Sequence, residues 1–221
     1  MVGPLMVPPV VADSVRAYYD RRAAEYDEWW TGTGAFATRP RPGWAAEVER
    51  LVEVVGALAG PRTLDVACGT GFLTRHLGGA VVGIDQSETM LELARGRCPE
   101  LELVHGDAVP LRFEDESFDT VFTSHFYGHL EVDERERFLA EARRVGRRLV
   151  VVDAALRPDV LPEQWQPRRL NDGSRHAVYK RYFTAAGLSA ELGGGEVLHD
   201  GRWFVVVATG PGVRTGSSAL A

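Results

Sequence analysis

Cysteine is scarce in this chain, and long apolar segments and an excess of basic charge are missing. Two cysteines among 221 residues are too few for a disulfide framework, so a cytoplasmic location is the expectation. No apolar run approaches the roughly 20 residues that span a bilayer, and we expect no membrane association. The formal net charge is −6 and the arginines are scattered, which argues against nucleic acid as a partner.

The rest of the composition is that of one ordinary globular domain. Hydrophobic residues make up 45% of the chain and charged residues 25%. We predict a single domain over residues 13–209, between an N-terminal lead of residues 1–12, which lacks the pattern of a signal peptide, and a flexible tail of residues 210–221. The sequence does not determine the oligomeric state, and a homodimer stays open.

A glycine-rich turn follows the first strongly apolar run. Residues 64–71 read Leu-Asp-Val-Ala-Cys-Gly-Thr-Gly, which indicates a strand, a tight turn and then a helix. Gly69 and Gly71 let a ligand approach the main chain closely, and the helix start would present backbone amides to it. A second apolar run ends in Asp85, 20 residues beyond Asp65. An acidic residue at this interval is typical of a site that binds a ribose diol.

Thr74 departs from the fingerprint of a nicotinamide dinucleotide site. That fingerprint has glycine or alanine at the third position, where helix and strand pack closely beside a pyrophosphate. The departure favours a ligand without phosphates, although a nicotinamide-dependent reductase stays an alternative.

Four motifs together resemble the class I S-adenosylmethionine-dependent methyltransferases. They stand in that family's order and spacing, and the resemblance covers roughly residues 13–209. Within the family, the chain is most similar to the small-molecule branch, which includes the ubiquinone/menaquinone-type and many natural-product enzymes. It implies an α/β, Rossmann-like, doubly wound seven-stranded sheet with an antiparallel last strand, and S-adenosyl-L-methionine as cofactor. The motifs are LDVACGTG (64–71), GIDQSETML (83–91), GDAVPL (106–111) and FDTVFTSH (118–125).

The resemblance also implies which residues surround the cofactor. Asp85 would accept hydrogen bonds from the ribose hydroxyls, Asp107 and the amide of Ala108 would contact the adenine edge, and Asp65 would help to hold the amino-acid end. Ordinary alternatives stay open, among them core packing for Met90 and turn formation for Asp107. The full expected set is Tyr18, Tyr26, Asp65, Ala67, Gly69, Gly71, Asp85, Gln86, Met90, Asp107, Ala108 and Ser124.

The N-terminal region of the predicted domain, residues 13–43, is a candidate lid. Apolar and aromatic residues recur at helical spacing from Asp13 to Trp30, which predicts one helix, and an irregular loop follows over residues 31–43. In the family that this chain resembles, such a helix covers the methionine end of the cofactor, and Tyr18 and Tyr26 match its tyrosines. Simple packing of the aromatic residues on the domain is the alternative.

The chemistry is expected directly after the predicted fourth strand, residues 118–123, because ligands bind beyond the carboxyl ends of such strands. His125 is the candidate general base, since imidazole titrates near neutral pH, and His129 is a weaker candidate. Each is equally well explained as a pocket histidine without a proton role. A metal is not expected, because no third ligand accompanies the two histidines.

Residues 154–183 look irregular, and we predict that this insertion shapes the acceptor pocket. The residues expected to contact substrate are Tyr127, Trp165, His176 and Tyr179, with Lys180 as a further candidate. Surface or inter-subunit positions are the alternative for those in the insertion.

An Asp200-Gly201 turn between strand-like runs predicts a hairpin at the end of the domain.

These features predict transfer of a methyl group to an oxygen, nitrogen or carbon nucleophile of a small-molecule acceptor. Two alternatives share the same motifs: a cyclisation or rearrangement on the same scaffold, and a non-catalytic protein that binds S-adenosylmethionine.

Overall fold

A computed structural model describes residues 12–58 and 60–210. The predicted lead, residues 1–12, and the predicted flexible tail, residues 210–221, lie outside this described part except for Ala12 and Gly210. The helices are α1 (Ala12–Arg22), α2 (Glu28–Thr31), α3 (Trp44–Gly56), α4 (Glu88–Arg97), α5 (Val132–Val145) and α6 (Ala185–Glu191). The strands are β1 (Arg62–Val66), β2 (Ala80–Asp85), β3 (Glu102–His105), β4 (Phe118–Ser124), β5 (Gly146–Ala154), β6 (Glu163–Arg169), β7 (Arg175–Arg181), β8 (Glu196–Asp200) and β9 (Phe204–Ala208).

Seven strands form one sheet in the order β3-β2-β1-β4-β5-β9-β8. Strands β1 to β5 pair in parallel, and β9 is antiparallel to both β5 and β8. The predicted doubly wound sheet with an antiparallel last strand is therefore confirmed. The strand order reverses between β1 and β4, which is where a ligand crevice opens in folds of this type.

The core lies on both faces of this sheet. Along β5, Leu149 and Val151 pack with α5 and α6, whereas Val150 and Val152 pack with α3 on the other face. This alternation follows from the two-residue period of a strand. A strand that is buried on both faces must be apolar throughout, which explains its continuous run of branched residues.

The N-terminal segment is not the single helix predicted from Asp13 to Trp30. Helix α1 ends at Arg22, a 3₁₀ turn covers Ala23–Glu25, and the short α2 begins at Glu28. Tertiary contacts explain the break, because Asp27 bonds to the domain at the glycine-rich turn and redirects the chain there.

The insertion predicted to be irregular instead contains an antiparallel hairpin, β6–β7. Gly173 has φ +85° in its turn, and Ser174 donates its amide to Asp172 Oδ1 at 2.8 Å. The final hairpin, β8–β9, is confirmed, with Gly201 donating its amide to the Phe204 carbonyl at 2.9 Å.

Candidate active site

Two cavities adjoin at the carboxyl ends of the parallel strands. The first, of about 310 Å³, lies over the ends of β1, β2 and β4. The second, of about 450 Å³, lies between the N-terminal segment and the β6–β7 hairpin. Tyr19, Tyr26, His125 and His129 line both cavities and form what we call the seam. The seam is the place where two ligands would meet.

The glycine-rich turn and the end of β2 are held together by Asp85. Its Oδ2 accepts the amide of Gly69 at 2.9 Å, and its Oδ1 accepts the amide of Ser87 at 2.9 Å. Gly69 has φ +56° and Ala67 has φ +58°, so the backbone turns sharply beside the cavity. Burial raises the pKa of Asp85, and the amide bonds oppose that rise. The carboxylate is thus fixed in orientation at the wall of the first cavity.

Most residues expected around the cofactor do line the first cavity. The structure brings together there Tyr26, Ala67, Gly69, Asp85, Gln86, Met90, Asp107, Ala108 and Ser124. Gly71 lies behind the turn, where an added Cβ would come within 3.2 Å of Cys98 Sγ, so this glycine permits close packing of the turn on α4. Tyr18 lies away from both cavities, and its neighbour Tyr19 occupies the seam instead.

Asp65 is buried beneath the turn rather than in the cavity wall. Its Oδ2 accepts a hydrogen bond from Thr74 Oγ1 at 2.7 Å, and its Oδ1 has no hydrogen-bond partner among the described residues. Burial raises its pKa to about 7.

The N-terminal segment is fastened over the first cavity by two carboxylates. Asp20 accepts a hydrogen bond from Ser87 Oγ at 2.5 Å. Asp27 accepts one from Thr70 Oγ1 at 2.7 Å and forms an ion pair with Arg97. These contacts connect the segment to the start of α4 and to the glycine-rich turn, and its role as a lid stays a prediction.

His125 follows β4 directly and has φ +52°, a conformation that is uncommon for a residue with a side chain. Its ring centroid lies 4.6 Å from that of Trp29, 5.2 Å from that of Trp30 and 5.5 Å from that of Phe204. Its Nε2 has no hydrogen-bond partner among the described residues. Burial in this aromatic surrounding lowers the pKa of His125 to about 3, so the ring is neutral at physiological pH.

His129 has a defined tautomer. Its Nδ1 lies 2.7 Å from the carbonyl oxygen of Tyr179, and since a carbonyl only accepts, Nδ1 carries the proton. Nε2 is then the acceptor nitrogen. Burial, with a further contribution from Lys180, holds the pKa of His129 well below its ordinary value.

A buried ion pair lies behind the two histidines. Lys180 Nζ is 2.5 Å from Asp153 Oδ1, and both side chains are almost fully buried. Asp153 Oδ2 accepts the amide of Gly128 at 2.7 Å. Burial alone would raise the pKa of Asp153, but Lys180 and His125 hold it below its ordinary value. An added Cβ on Gly128 would lie 2.7 Å from the Arg181 carbonyl oxygen, so glycine is required at this point.

The four residues expected to contact substrate lie outside both cavities. Tyr127 is fully buried in the core and bonds through its hydroxyl to Glu191 at 2.9 Å. Trp165 is 42% exposed and packs on Tyr179, while His176 packs on Tyr18.

The second cavity is lined by Tyr19, Arg22, Tyr26, Trp29, Phe36, Arg39, Pro40, Arg41, Trp44, His125, His129, Ala154, Arg157, Asp159, Gln166, Pro167, Arg168, Lys180, Tyr182 and Trp203.

Within residues 12–58 and 60–210, no helix has both the length and the apolar character needed to cross a membrane. In the same ranges, no group of three or more histidine, cysteine, aspartate or glutamate side chains is arranged to hold a metal ion.

The sheet order, the glycine-rich turn and the cavity above the strand ends are features of the class I methyltransferase fold. A family model described as "Methyltransferase domain" matches residues 64–149. A demethylmenaquinone methyltransferase of Renibacterium salmoninarum is 38% identical over 147 residues, which are 64% of this chain and 59% of that protein. The chain therefore spans about three fifths of the length of this curated relative. These findings show that the chain is similar to the class I S-adenosylmethionine-dependent methyltransferases over its central part.

Solved structures agree with the family. The structure titled "DhpI-SAH complex structure" superposes with a TM-score of 0.66 at 26% identity, over 91% of this chain and 97% of that one. The [4+2]-cyclase SpnF superposes with a TM-score of 0.61 at 23% identity, over 87% of this chain and 76% of that one, which shows a shared fold alone.

Proposed function

We propose that this chain transfers a methyl group from S-adenosylmethionine to a small-molecule acceptor bound in the second cavity. The observation that carries the proposal is the meeting of two cavities at one seam of buried or half-buried side chains. A transfer between two bound molecules requires that donor and acceptor be aligned, and alignment alone supplies about 7–11 kcal/mol of the barrier reduction.

The first cavity has the donor and acceptor groups that suit the cofactor. Asp85 retains lone pairs on both carboxylate oxygens for the ribose hydroxyls. Asp107 and the amide of Ala108 would contact the adenine edge, with Met90 against its ring. Asp65 lies beneath the glycine-rich turn and accepts a hydrogen bond from Thr74, so we assign it to holding the turn that would contact the amino-acid end of the cofactor.

The seam would hold the reacting ends. When bound, the cofactor supplies an electrophilic methyl group on a positively charged sulfur. The rings of Tyr19 and Tyr26 suit that charge, because aromatic faces attract cations. His125 and His129 are neutral, so each can orient an acceptor through an unprotonated nitrogen or accept a proton from it. Their low pKa values make them weak bases, and we assign the main contribution to alignment.

Calorimetric titration of the wild type with S-adenosylmethionine and S-adenosylhomocysteine tests the cofactor site. We expect binding that weakens at least about tenfold in Asp85→Asn, because each charge-assisted hydrogen bond contributes about 1.5–3 kcal/mol. Asp119→Asn is the matched control. Asp119 lies at the amino end of β4, away from the cavities, where its Oδ2 accepts the amide of Arg62. No binding of either ligand to folded wild type would overturn the proposal.

Product analysis then separates the reaction types. Formation of S-adenosylhomocysteine together with an acceptor heavier by one methylene establishes methyl transfer. A rearranged acceptor with unconsumed cofactor would show the cyclisation type of reaction instead. Displacement of bound S-adenosylhomocysteine by NADH would favour a reductase.

A further inference from the structure

We propose that the second cavity selects an acceptor carrying a doubly charged oxyanion, such as a phosphoryl or phosphonyl group or a pair of carboxylates. This inference rests on the proposed function and specifies its substrate class. It starts from the charges that line the cavity in a protein whose formal net charge is −6. These are Arg22, Arg39, Arg41, Arg157, Arg168 and Lys180, with Asp159 as the one lining carboxylate among the described residues.

Two of the six cations are already neutralised. Lys180 pairs with the buried Asp153 at 2.5 Å, and Arg157 pairs with Asp159 at 3.2 Å. The guanidinium of Arg157 also lies 4.4 Å from the ring centroid of Trp203. These two pairs therefore contribute shape and hydrogen-bonding groups to the cavity but little net charge.

The remaining four arginines have no carboxylate partner within the described ranges. Arg41 donates to the Trp29 carbonyl at 2.8 Å, and its guanidinium lies 3.9 Å from the ring centroid of Trp44. Arg168 donates to Gln166 Oε1 at 2.5 Å, and its buried Nε has no hydrogen-bond partner in the described part of the chain. Neutral partners thus orient these guanidinium groups without neutralising them.

Like charges within the cavity also act on one another. Burial lowers the pKa of Arg168, and Arg22 adds to the effect. Burial lowers the pKa of Arg41 as well, with Arg39 as the second cause. A guanidinium stays charged despite such shifts, so the repulsion persists in the free protein. A bound dianion would relieve it, and the planar, multiple donors of arginine match oxyanions in geometry.

The four arginines come from elements that are far apart in the sequence. Arg22 ends α1, Arg39 and Arg41 lie in the loop before α3, and Arg168 lies on β6. The same cavity reaches His125 and His129 at the seam. An acceptor held by its anionic group among these arginines would therefore present its remaining atoms toward the cofactor.

Calorimetry on the protein saturated with S-adenosylhomocysteine tests the inference without a known acceptor. The probes are inorganic phosphate, malonate and acetate, which compare a phosphoryl-type dianion, a dicarboxylate and a single carboxylate. We expect phosphate or malonate to bind at millimolar concentrations, acetate to bind far more weakly, and added salt to reduce the affinity. The preferred dianion identifies which of the two kinds of acceptor fits. Failure of both dianions to bind would overturn the inference.

Variants connect the binding to the cavity. Arg39→Gln and Arg168→Gln should each lower the affinity for the preferred dianion about 10- to 100-fold, as expected for loss of a charge-assisted hydrogen bond. Arg147→Gln removes the same charge from an exposed position at the amino end of β5, away from the second cavity. It should leave the affinity for the dianion unchanged. Affinity for S-adenosylhomocysteine should be unchanged in all three, which separates this test from that of the proposed function. Equal dianion binding by wild type and Arg168→Gln would overturn the inference.

Discussion

Replacing Asp65 by Asn should change how the stability of the free protein depends on pH. Asp65 is 1% exposed, and the hydrogen bond from Thr74 Oγ1 is the one interaction that lowers the pKa of its carboxyl. Burial, with a contribution from the charge of Asp85, nevertheless raises that pKa from an ordinary 3.8 to about 7. The folded protein therefore binds this proton more tightly than the unfolded chain does.

The sign and size of the effect follow from that difference. Because the native state binds more protons in this range, the wild type loses stability as the pH rises from about 4 to about 7. At about 1.4 kcal/mol for each pKa unit, the loss attributable to Asp65 reaches about 4 kcal/mol. Asparagine does not titrate but still accepts the Thr74 hydrogen bond, so the variant lacks this loss.

Urea denaturation of both proteins without cofactor, in steps from pH 4 to pH 8, measures the effect. The other groups titrate in both proteins, so the difference in free energy of unfolding isolates Asp65. We expect that difference to move in favour of Asp65→Asn by about 4 kcal/mol across the range. Thr74→Val should enlarge the loss relative to wild type. A difference that does not vary with pH would refute the reasoning.

The remaining predictions concern the lid, the buried ion pair and the seam. Asp27→Asn should weaken S-adenosylhomocysteine binding several-fold and expose the N-terminal segment to trypsin, because it removes the ion pair with Arg97; unchanged affinity and cleavage would contradict this role. Lys180→Met leaves Asp153 buried without its cation, so it should cost about 3–5 kcal/mol of stability by urea denaturation, and a loss below about 1 kcal/mol would contradict the pairing. With an identified acceptor, the rate should show no ionisation of His129 between pH 6 and 8, since its pKa lies well below that range, and a protonation step that disappears in His129→Asn would disprove this.

The first cavity could be predicted from the sequence because its residues depend on local structure. A strand that ends in a glycine-rich turn places Ala67 and Gly69 at the sheet edge, and a neighbouring parallel strand places Asp85 beside them. The helix caps at Ser87 and Thr184 were predictable for the same reason, and their side chains accept hydrogen bonds from Met90 N and Gly187 N. The N-cap of α5 is Glu131, which forms a capping box with Glu134.

The N-terminal segment and the β6–β7 hairpin show that the local sequence pattern does not determine which side chains reach the cavities. Tyr18 and Tyr19 are adjacent on α1 and therefore point in different directions, and the contact between Asp20 and Ser87 sets which of them reaches the seam. On β7 the two faces alternate in the same way, so Lys180 lines the second cavity and Tyr179 does not. The signal for this hairpin was present in the turn residues Asn171-Asp172-Gly173, which interrupt two strand-like runs.

The positive charge of the second cavity and the low basicity of His125 and His129 at the seam have a common explanation. A general base is needed only when the nucleophile must lose a proton during the reaction. On the proposal above, the arginines hold the anionic group of the acceptor while its remaining atoms face the seam, so that the binding of this group positions the nucleophile. Burial and the charge of Lys180 lower the pKa values of His125 and His129, which would be a disadvantage for a base but not for residues that orient an ionised acceptor. We therefore expect the cation-rich cavity to supply the binding energy that aligns the acceptor, with the neutral histidines orienting it rather than removing a proton.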